Sequence, residues 1–532
     1  MTDASSAPIP AGGLAELTAM VRRDLDLLNL TGGPTWTRTR EGVLDAAIVG
    51  GGQCGLAAAF GLMREKISNI LVVDENPPGL EGPWATYARM ITLRSPKQLT
   101  PIDFGMPNLT CRAWWEAQHG PASWAALDKI PRGDWMAYLR WYRETLAIPV
   151  RNGARVTSIS PCEAGVHRVG LANGETLLAR KVILATGIQG GGEWHTPDFI
   201  KAALTPNRWA HTAQDIDYAA LKGRRIAILG GGASAFDNAQ HALNAGVAQA
   251  HVHIRRPALP QVNVIRYMET VRFSRSYASL DDATKYAVSD SFLTRNQPPT
   301  NDTFRRAAAH AGFALHVGSP WLSVREVDDE VEVTTPNGAF RYDFLVLSTG
   351  MKTDAALRPE LAALADDIAL WRDRYVPPPG RCNPLVDDHP YLGPGFEFTG
   401  KTAEGSARLH GLFAFNYSAL VSLGLSASAL SGMGFSLPRL ASAVAGQLFL
   451  DDQETILSGY FDFAEPEFTS QWSPPTAFAE LQPDALVTYA DGKARNLQLD
   501  IAETYRPGVM DALAGLQEHA RAVGLALQGG GS

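Results

Sequence analysis

Two glycine-rich turns in this sequence have the spacing of phosphate cradles. The first is Gly50-Gly51-Gly52-Gln53-Cys54-Gly55, and the second is Gly230-Gly231-Gly232-Ala233-Ser234-Ala235. In such a turn the first glycine permits a tight bend. The second lets backbone approach a pyrophosphate, and the third lets helix pack closely on strand. N–H groups at the start of the following helix then face the negative charge. Candidate cofactor contacts are Gly50, Gly52, Gln53 and Gly55 in the first turn, and Gly230, Gly232, Ala233, Ser234 and Ala235 in the second.

The residues beyond each turn differ, and the difference assigns ligands. Asp74 and Glu75 follow the first turn at the end of an apolar run. A carboxylate there accepts hydrogen bonds from ribose hydroxyls, as the adenosine half of FAD requires, and repels a 2′-phosphate. Arg255 and Arg256 hold the matching place after the second turn. A guanidinium fork suits a phosphate dianion, so the second site should prefer NADPH to NADH.

These residues need strands and helices to position them. An apolar strand at 44–49 leads into the first turn, a helix-favouring run at 56–65 follows, and a strand at 70–73 carries the acid. The unit repeats as a strand at 225–229, a helix at 236–245 and a strand at 251–254, offset by 180 residues. Later strands run into Ala185-Thr186-Gly187 and Ser348-Thr349-Gly350, which adds Thr186, Gly187, Thr349 and Gly350 as cofactor contacts. Val156, opening the short strands before residue 184, joins them. The pattern predicts an α/β fold with two Rossmann-like dinucleotide-binding domains, the FAD domain discontinuous and the NADP domain inserted in it. The boundaries expected are a 1–43 extension, an FAD domain of 44–220 and 353–454, an NADPH domain of 221–352, and a 455–532 extension. Crossings near Lys222 and Met351 would form a hinge.

The remaining segments are read more simply. Residues 1–12 read as a flexible lead, 14–28 as an amphipathic helix and 76–103 as loops. The tryptophan-rich stretch 111–146 reads as helical core. The uncharged run 419–435 reads as a buried helix, too short for a membrane span. A helix near Val509–Val523 and a tail at 529–532 close the chain.

Composition narrows the class. The 532 residues are 45% hydrophobic and 19% charged, an ordinary globular balance. A net charge of -8 argues against a dedicated nucleic-acid or anionic-membrane binder. The four cysteines, Cys54, Cys111, Cys162 and Cys382, make no CxxC pair, which leaves neither a redox disulfide nor zinc spacing. Scattered thiols and the lack of a signal-like N-terminus suggest a cytoplasmic protein. No metal site is expected.

Over residues 44–450 the chain resembles the class B flavoprotein monooxygenases, which include flavin-containing monooxygenases, Baeyer–Villiger enzymes and amine N-hydroxylases. The resemblance rests on both turns, Asp74-Glu75, Gly82-Pro83-Trp84, Arg94-Ser95-Pro96-Lys97, Asp103-Phe104, Pro107 and Thr349-Gly350. Of the family's F-x-G-x-x-x-H linker only His211 is present. The resemblance implies FAD, NADPH and O2. It also implies transfer of one oxygen atom to a small organic substrate through a flavin C4a-(hydro)peroxide. Trp84 would touch the cofactor, and Arg94, Lys97 and Asn416 become catalytic candidates. Asn263 and Arg266 would reach NADP or substrate, and His211 would position the linker. A flavin reductase or electron-transfer oxidoreductase without oxygen insertion remains an alternative, as does a non-catalytic FAD- and NADP-binding module. Self-association is left open.

Overall fold

The strand Val43–Val49 lies at the centre of the first sheet in the computed structural model. The structure is described for residues 13–30, 35–162, 165–295 and 297–469, and for the backbone of 486–488 and 494–496. Its run Ala46-Ala47-Ile48 is fully buried, as expected of a parallel strand covered on both faces. It pairs in parallel with Ile70–Val73 on one side and Thr176–Leu184 on the other. Val150–Arg151 extends one edge. His167–Leu171 and Val156–Pro161 continue the other edge in antiparallel pairing.

The second sheet is parallel throughout. Its order is Phe313–His316, Gln249–His253, Arg225–Leu229, Phe344–Leu347 and Trp209–His211. The last strand comes from before residue 221, so this sheet begins earlier in the chain than the repeated unit alone indicates. A three-stranded antiparallel meander, Ser323–Val327, Glu330–Thr335 and Gly338–Tyr342, packs its apolar face on it. The chain then returns: Leu412–Phe413 adds to the first sheet beside Thr176–Leu184.

The chain passes between the sheets twice, and the two passages touch. Outgoing Gly192–Trp194 pairs antiparallel with returning Met351–Thr353. The return lies where the sequence placed it, at Met351. The outgoing passage lies at 192–194 instead of near Lys222. The ribbon closes tightly, since a Cβ on Gly192 would stand 2.0 Å from the Lys352 carbonyl oxygen.

The segment 419–435 is buried but is not one helix. A short helix, Leu420–Leu423, stops at Gly424, whose φ of 73° breaks the right-handed helix. Two 3-10 turns follow, and the long helix begins at Met433 and runs to Asp451. Its end is anchored on the first sheet by a buried ionic group. Arg180 pairs with Asp452 at 2.9 Å and Asp45 at 3.4 Å, and Lys181 pairs with Asp451 at 2.9 Å.

One compact unit of the chain ends at Leu457, and both sheets belong to it. Among the described residues no helix is long and apolar enough to cross a membrane. The expected lead at 1–12, helix at 509–523 and tail lie outside the described residues.

Candidate active site

The first glycine turn joins Val43–Val49 to the helix Gln53–Arg64. Side chains on its glycines would collide: a Cβ on Gly50 would lie 2.5 Å from the Ala185 carbonyl oxygen, and one on Gly55 only 1.8 Å from that of Gly50. No side chain caps the helix at Gly52, so its first N–H groups stay available to an anion. Gln53 accepts from the Trp135 indole at 3.1 Å. Gly82 packs on Gly52, which brings the Gly82-Pro83-Trp84 step to the turn. The Trp84 indole N–H is buried without a partner among the described residues, and so fits a cofactor with acceptor atoms.

Asp74 turns inward. Its carboxylate accepts from the Gly51 N–H at 2.6 Å and from the Asn76 N–H at 2.8 Å, and burial pushes its pKa up despite those bonds. Glu75 is exposed, with Arg155 at 3.7 Å. Val156 follows Arg155 in the strand Val156–Pro161. A cavity of about 370 Å³ opens beside this turn, walled by Gly51, Glu81, Met136, Leu139, Arg140 and Arg143. Glu81 and Arg143 form an ion pair of 2.6 Å there. Both were absent from the sequence-based candidates, because an isolated acid and an isolated arginine carry no spacing signal.

The returning chain meets the strand end at Ala185-Thr186-Gly187. Asn416, 1% exposed, donates to the Thr186 hydroxyl at 3.2 Å and accepts from the Ser418 N–H at 2.9 Å and its hydroxyl at 2.6 Å. Tyr417 N–H donates to the Gly187 carbonyl at 3.2 Å, and burial pushes the Tyr417 phenol up to about 12. Thr186, Gly187 and Asn416 therefore stand together, although they are far apart in sequence.

The loop candidates Lys97 and Arg94 each have protein partners. Lys97 donates to the carbonyls of Trp124 and Leu127 and lies over the Trp124 ring. Its ammonium fastens that loop. Arg94 pairs with Asp237, a buried carboxylate on the helix Ala233–Asn244 that the sequence reading passed over. Asp237 had a signal: it sits between the buried apolar residues Ala235, Phe236 and Ala239, where an acid demands a cation.

At the second turn a Cβ on Gly230 would meet the Ser348 carbonyl oxygen at 2.2 Å, while Gly232 faces open space. The helix Ala233–Asn244 also begins without a side-chain cap. Ala233 and Ala235 are buried, and Ser234 is exposed. The two tip arginines diverge. Arg256 donates to the carbonyls of Thr294 and Arg295, at 2.9 and 3.2 Å. Arg255 is exposed and makes no ion pair or hydrogen bond with a described residue. Thr349 donates to the His195 carbonyl, and Gly350 accepts from the His195 N–H at 2.9 Å. His211, at the end of Trp209–His211, lies tilted beside Trp194 of the connecting ribbon with ring centres 5.2 Å apart, and burial lowers its pKa to about 4. Asn263 caps the backbone of Ile265 at 3.1 Å, and Arg266 donates to the Arg94 carbonyl at 3.1 Å. Among the described residues no cluster is arranged to hold a metal ion.

Both turns thus fit nucleotide diphosphates. A family model described as FAD-NAD(P)-binding matches residues 47–189. A second, described as L-lysine 6-monooxygenase/L-ornithine 5-monooxygenase, matches residues 124–298. An FAD-dependent urate hydroxylase of Xanthomonas campestris pv. campestris is 59% identical over 468 residues, covering 87% of this chain and 99% of that protein. The chain belongs to the class B flavoprotein monooxygenases. This monooxygenase uses FAD and NADPH and places one atom of O2 in a small organic substrate. Solved structures share its fold. The ornithine hydroxylase of Pseudomonas aeruginosa matches with a TM-score of 0.61 at 18% identity, over 76% of the monooxygenase and 100% of that chain. The ornithine N-hydroxylase of Kutzneria sp. 744, whose structure holds FAD, NADP+ and L-ornithine, matches at 0.60 and 16% identity, over 76% and 99%. The L-lysine 6-monooxygenase of Pseudomonas syringae matches at 0.58 and 18%, over 76% and 99%.

Proposed function

We propose that this monooxygenase hydroxylates an acidic purine of the urate type. The observation that carries the proposal is the 59% identity to a urate hydroxylase across 99% of that protein's length. The nearly uniform coverage leaves little room for a rebuilt substrate region. Arg94 adds chemical support, since its guanidinium is 38% exposed while one amino group is held by Asp237. A fixed cation of this kind attracts an anionic heterocycle and its carbonyl oxygens.

Bound FAD and NADPH supply hydride transfer and O2 activation; the chain supplies binding and order. The first turn, Asp74, Glu75, Trp84, Val156, Thr186 and Gly187 would hold FAD, with the cavity beside Gly51 taking its adenosine end. The second turn, Arg255, Thr349 and Gly350 would hold NADPH. We assign the FAD-binding half to the first sheet with its returning strand, and the NADPH-binding half to the second. Asn416 is fixed by Thr186 and Ser418, so its amide is a ready orienting group. Lys97 and Arg256 support loops in this reading. The substrate and O2 are its small-molecule partners, and the cytoplasm remains the proposed compartment.

The test is NADPH oxidation by the purified flavoprotein, followed together with substrate loss, hydrogen peroxide release and product mass. Urate should stimulate oxidation and gain one oxygen atom with little peroxide. If L-ornithine or L-lysine is oxygenated and urate is inert, the amine N-hydroxylase reading replaces this one. That reading has its own support in the family model over residues 124–298.

A further inference from the structure

The two nucleotide units meet along a seam of one electrical polarity. Arg89, Arg94 and Lys129 lie in the segment between the strands Ile70–Val73 and Val150–Arg151 of the first sheet. Each pairs with an acid from the segment that builds the second sheet: Arg89 with Asp215 at 2.7 Å, Arg94 with Asp237, and Lys129 with Asp302 at 3.2 Å. The pairs differ in burial. The Asp215 side chain is 81% exposed and that of Asp302 is 36% exposed, so solvent weakens both contacts. The Asp237 side chain is only 4% exposed. A carboxylate taken out of water at that depth is costly unless a cation stays beside it.

Position gives the middle pair its importance. Asp237 lies one turn into the helix whose N-terminus forms the second phosphate cradle. Arg94 lies in the loop that leaves the first cradle past Trp84. The same loop is tied a second time from the other unit. Arg266 donates to the Arg94 carbonyl at 3.1 Å and pairs with Glu269 at 3.1 Å, and Glu269 accepts from Ser431 at 3.3 Å. The contact therefore joins the two cradles by a short mechanical path.

We propose that Asp237 is a positioning residue for hydride transfer, acting through Arg94 to fix the second cradle against the first. When both are bound, NADPH would supply a hydride with its electron pair to FAD, leaving NADP+ and reduced FAD. Neither side chain gains or loses a proton in that step. Their role is to hold the donor-to-acceptor separation, to which such a transfer is sharply sensitive. This role is independent of substrate, so it stands or falls apart from the urate reading.

The experiment compares the FAD-loaded wild type with Asp237→Asn, Arg94→Met and Arg94→Lys, without O2 or substrate. An amide of the same shape keeps the packing around residue 237 and removes only the charge that holds Arg94. Stopped-flow absorbance at saturating NADPH reads the rate of flavin reduction. Calorimetry reads NADP+ affinity, and hydrogen exchange on ligand-free protein reads the amides of 89–96. In Asp237→Asn and Arg94→Met, reduction should slow about tenfold to a hundredfold. NADP+ affinity should stay within about twofold, and the loop amides should exchange faster. Arg94→Lys should recover most of the rate. Unchanged reduction and exchange in both weakened variants would overturn the proposal. So would a loss of rate accounted for by weaker NADP+ binding, since Asp237 would then act on the ligand alone. If Asp237→Asn fails to retain FAD, the Arg94 variants decide.

Discussion

Single side chains at the strand tips differ between the two cradles, and the proposed ligand preference rests on them. Asp74 and Glu75 were equivalent candidates in the sequence, but the folded chain separates their roles. Asp74 braces the turn through the Gly51 N–H, while Glu75 stays at the surface. Arg255 and Arg256 separate in the same way, because among the described residues Arg256 has hydrogen-bond partners and Arg255 has none. Arg255→Ala should therefore raise the KM for NADPH about tenfold to a hundredfold, by loss of a charged hydrogen bond of about 1.5–3 kcal/mol. The KM for NADH should barely change. Arg256→Ala should instead lower the thermal midpoint while keeping the preference between the two nucleotides. Steady-state kinetics with both nucleotides and a melting curve check the pair of expectations.

Elements were legible in the sequence where period and tip chemistry coincided. Both strand–turn–helix–strand units, the later strands ending in Thr-Gly and the opening helix Gly13–Leu27 could be read directly. Three kinds of feature could not. Trp209–His211 and Gly192–Trp194 are only three residues each, too short for any periodicity, and depend on partners far along the chain. The run 419–435 is apolar throughout, and burial alone does not distinguish one helix from a helix broken at Gly424. The Arg94–Asp237 pair spans 143 residues, and no local spacing announces it. The same element scale offers a paired test. Gly192→Ala places a methyl 2.0 Å from the Lys352 carbonyl oxygen and should cost about 1–3 kcal/mol. Gly446→Ala, within the helix Met433–Asp451 and with nothing within 4 Å, should gain about 0.5–1 kcal/mol. Opposite shifts in thermal midpoint check both.

Across the whole molecule, neutral histidines sealed in the interior set the acid limit. Burial lowers His253 to about 3, and His211 and His389 to about 4, from an ordinary value of 6.5. Unfolded chain takes up protons at these positions below about pH 6.5, and folded chain does not. Folding stability should therefore be intact above that pH and fall as pH drops toward about 4. The loss is at most about 2 kcal/mol per ring near pH 5. Chemical denaturation across this window checks the slope, and His253→Gln should flatten it. Cys54 is withdrawn from thiol reactions in the same way, since burial pushes it up to about 12 and keeps it protonated. The two passages between sheets carry a different consequence. Strands that share hydrogen bonds must twist together, so Gly192–Trp194 and Met351–Thr353 act as a single pin. A door hung on one pin turns with both leaves of the pin: a rotation of one sheet against the other would have to bend the outgoing and returning strands together.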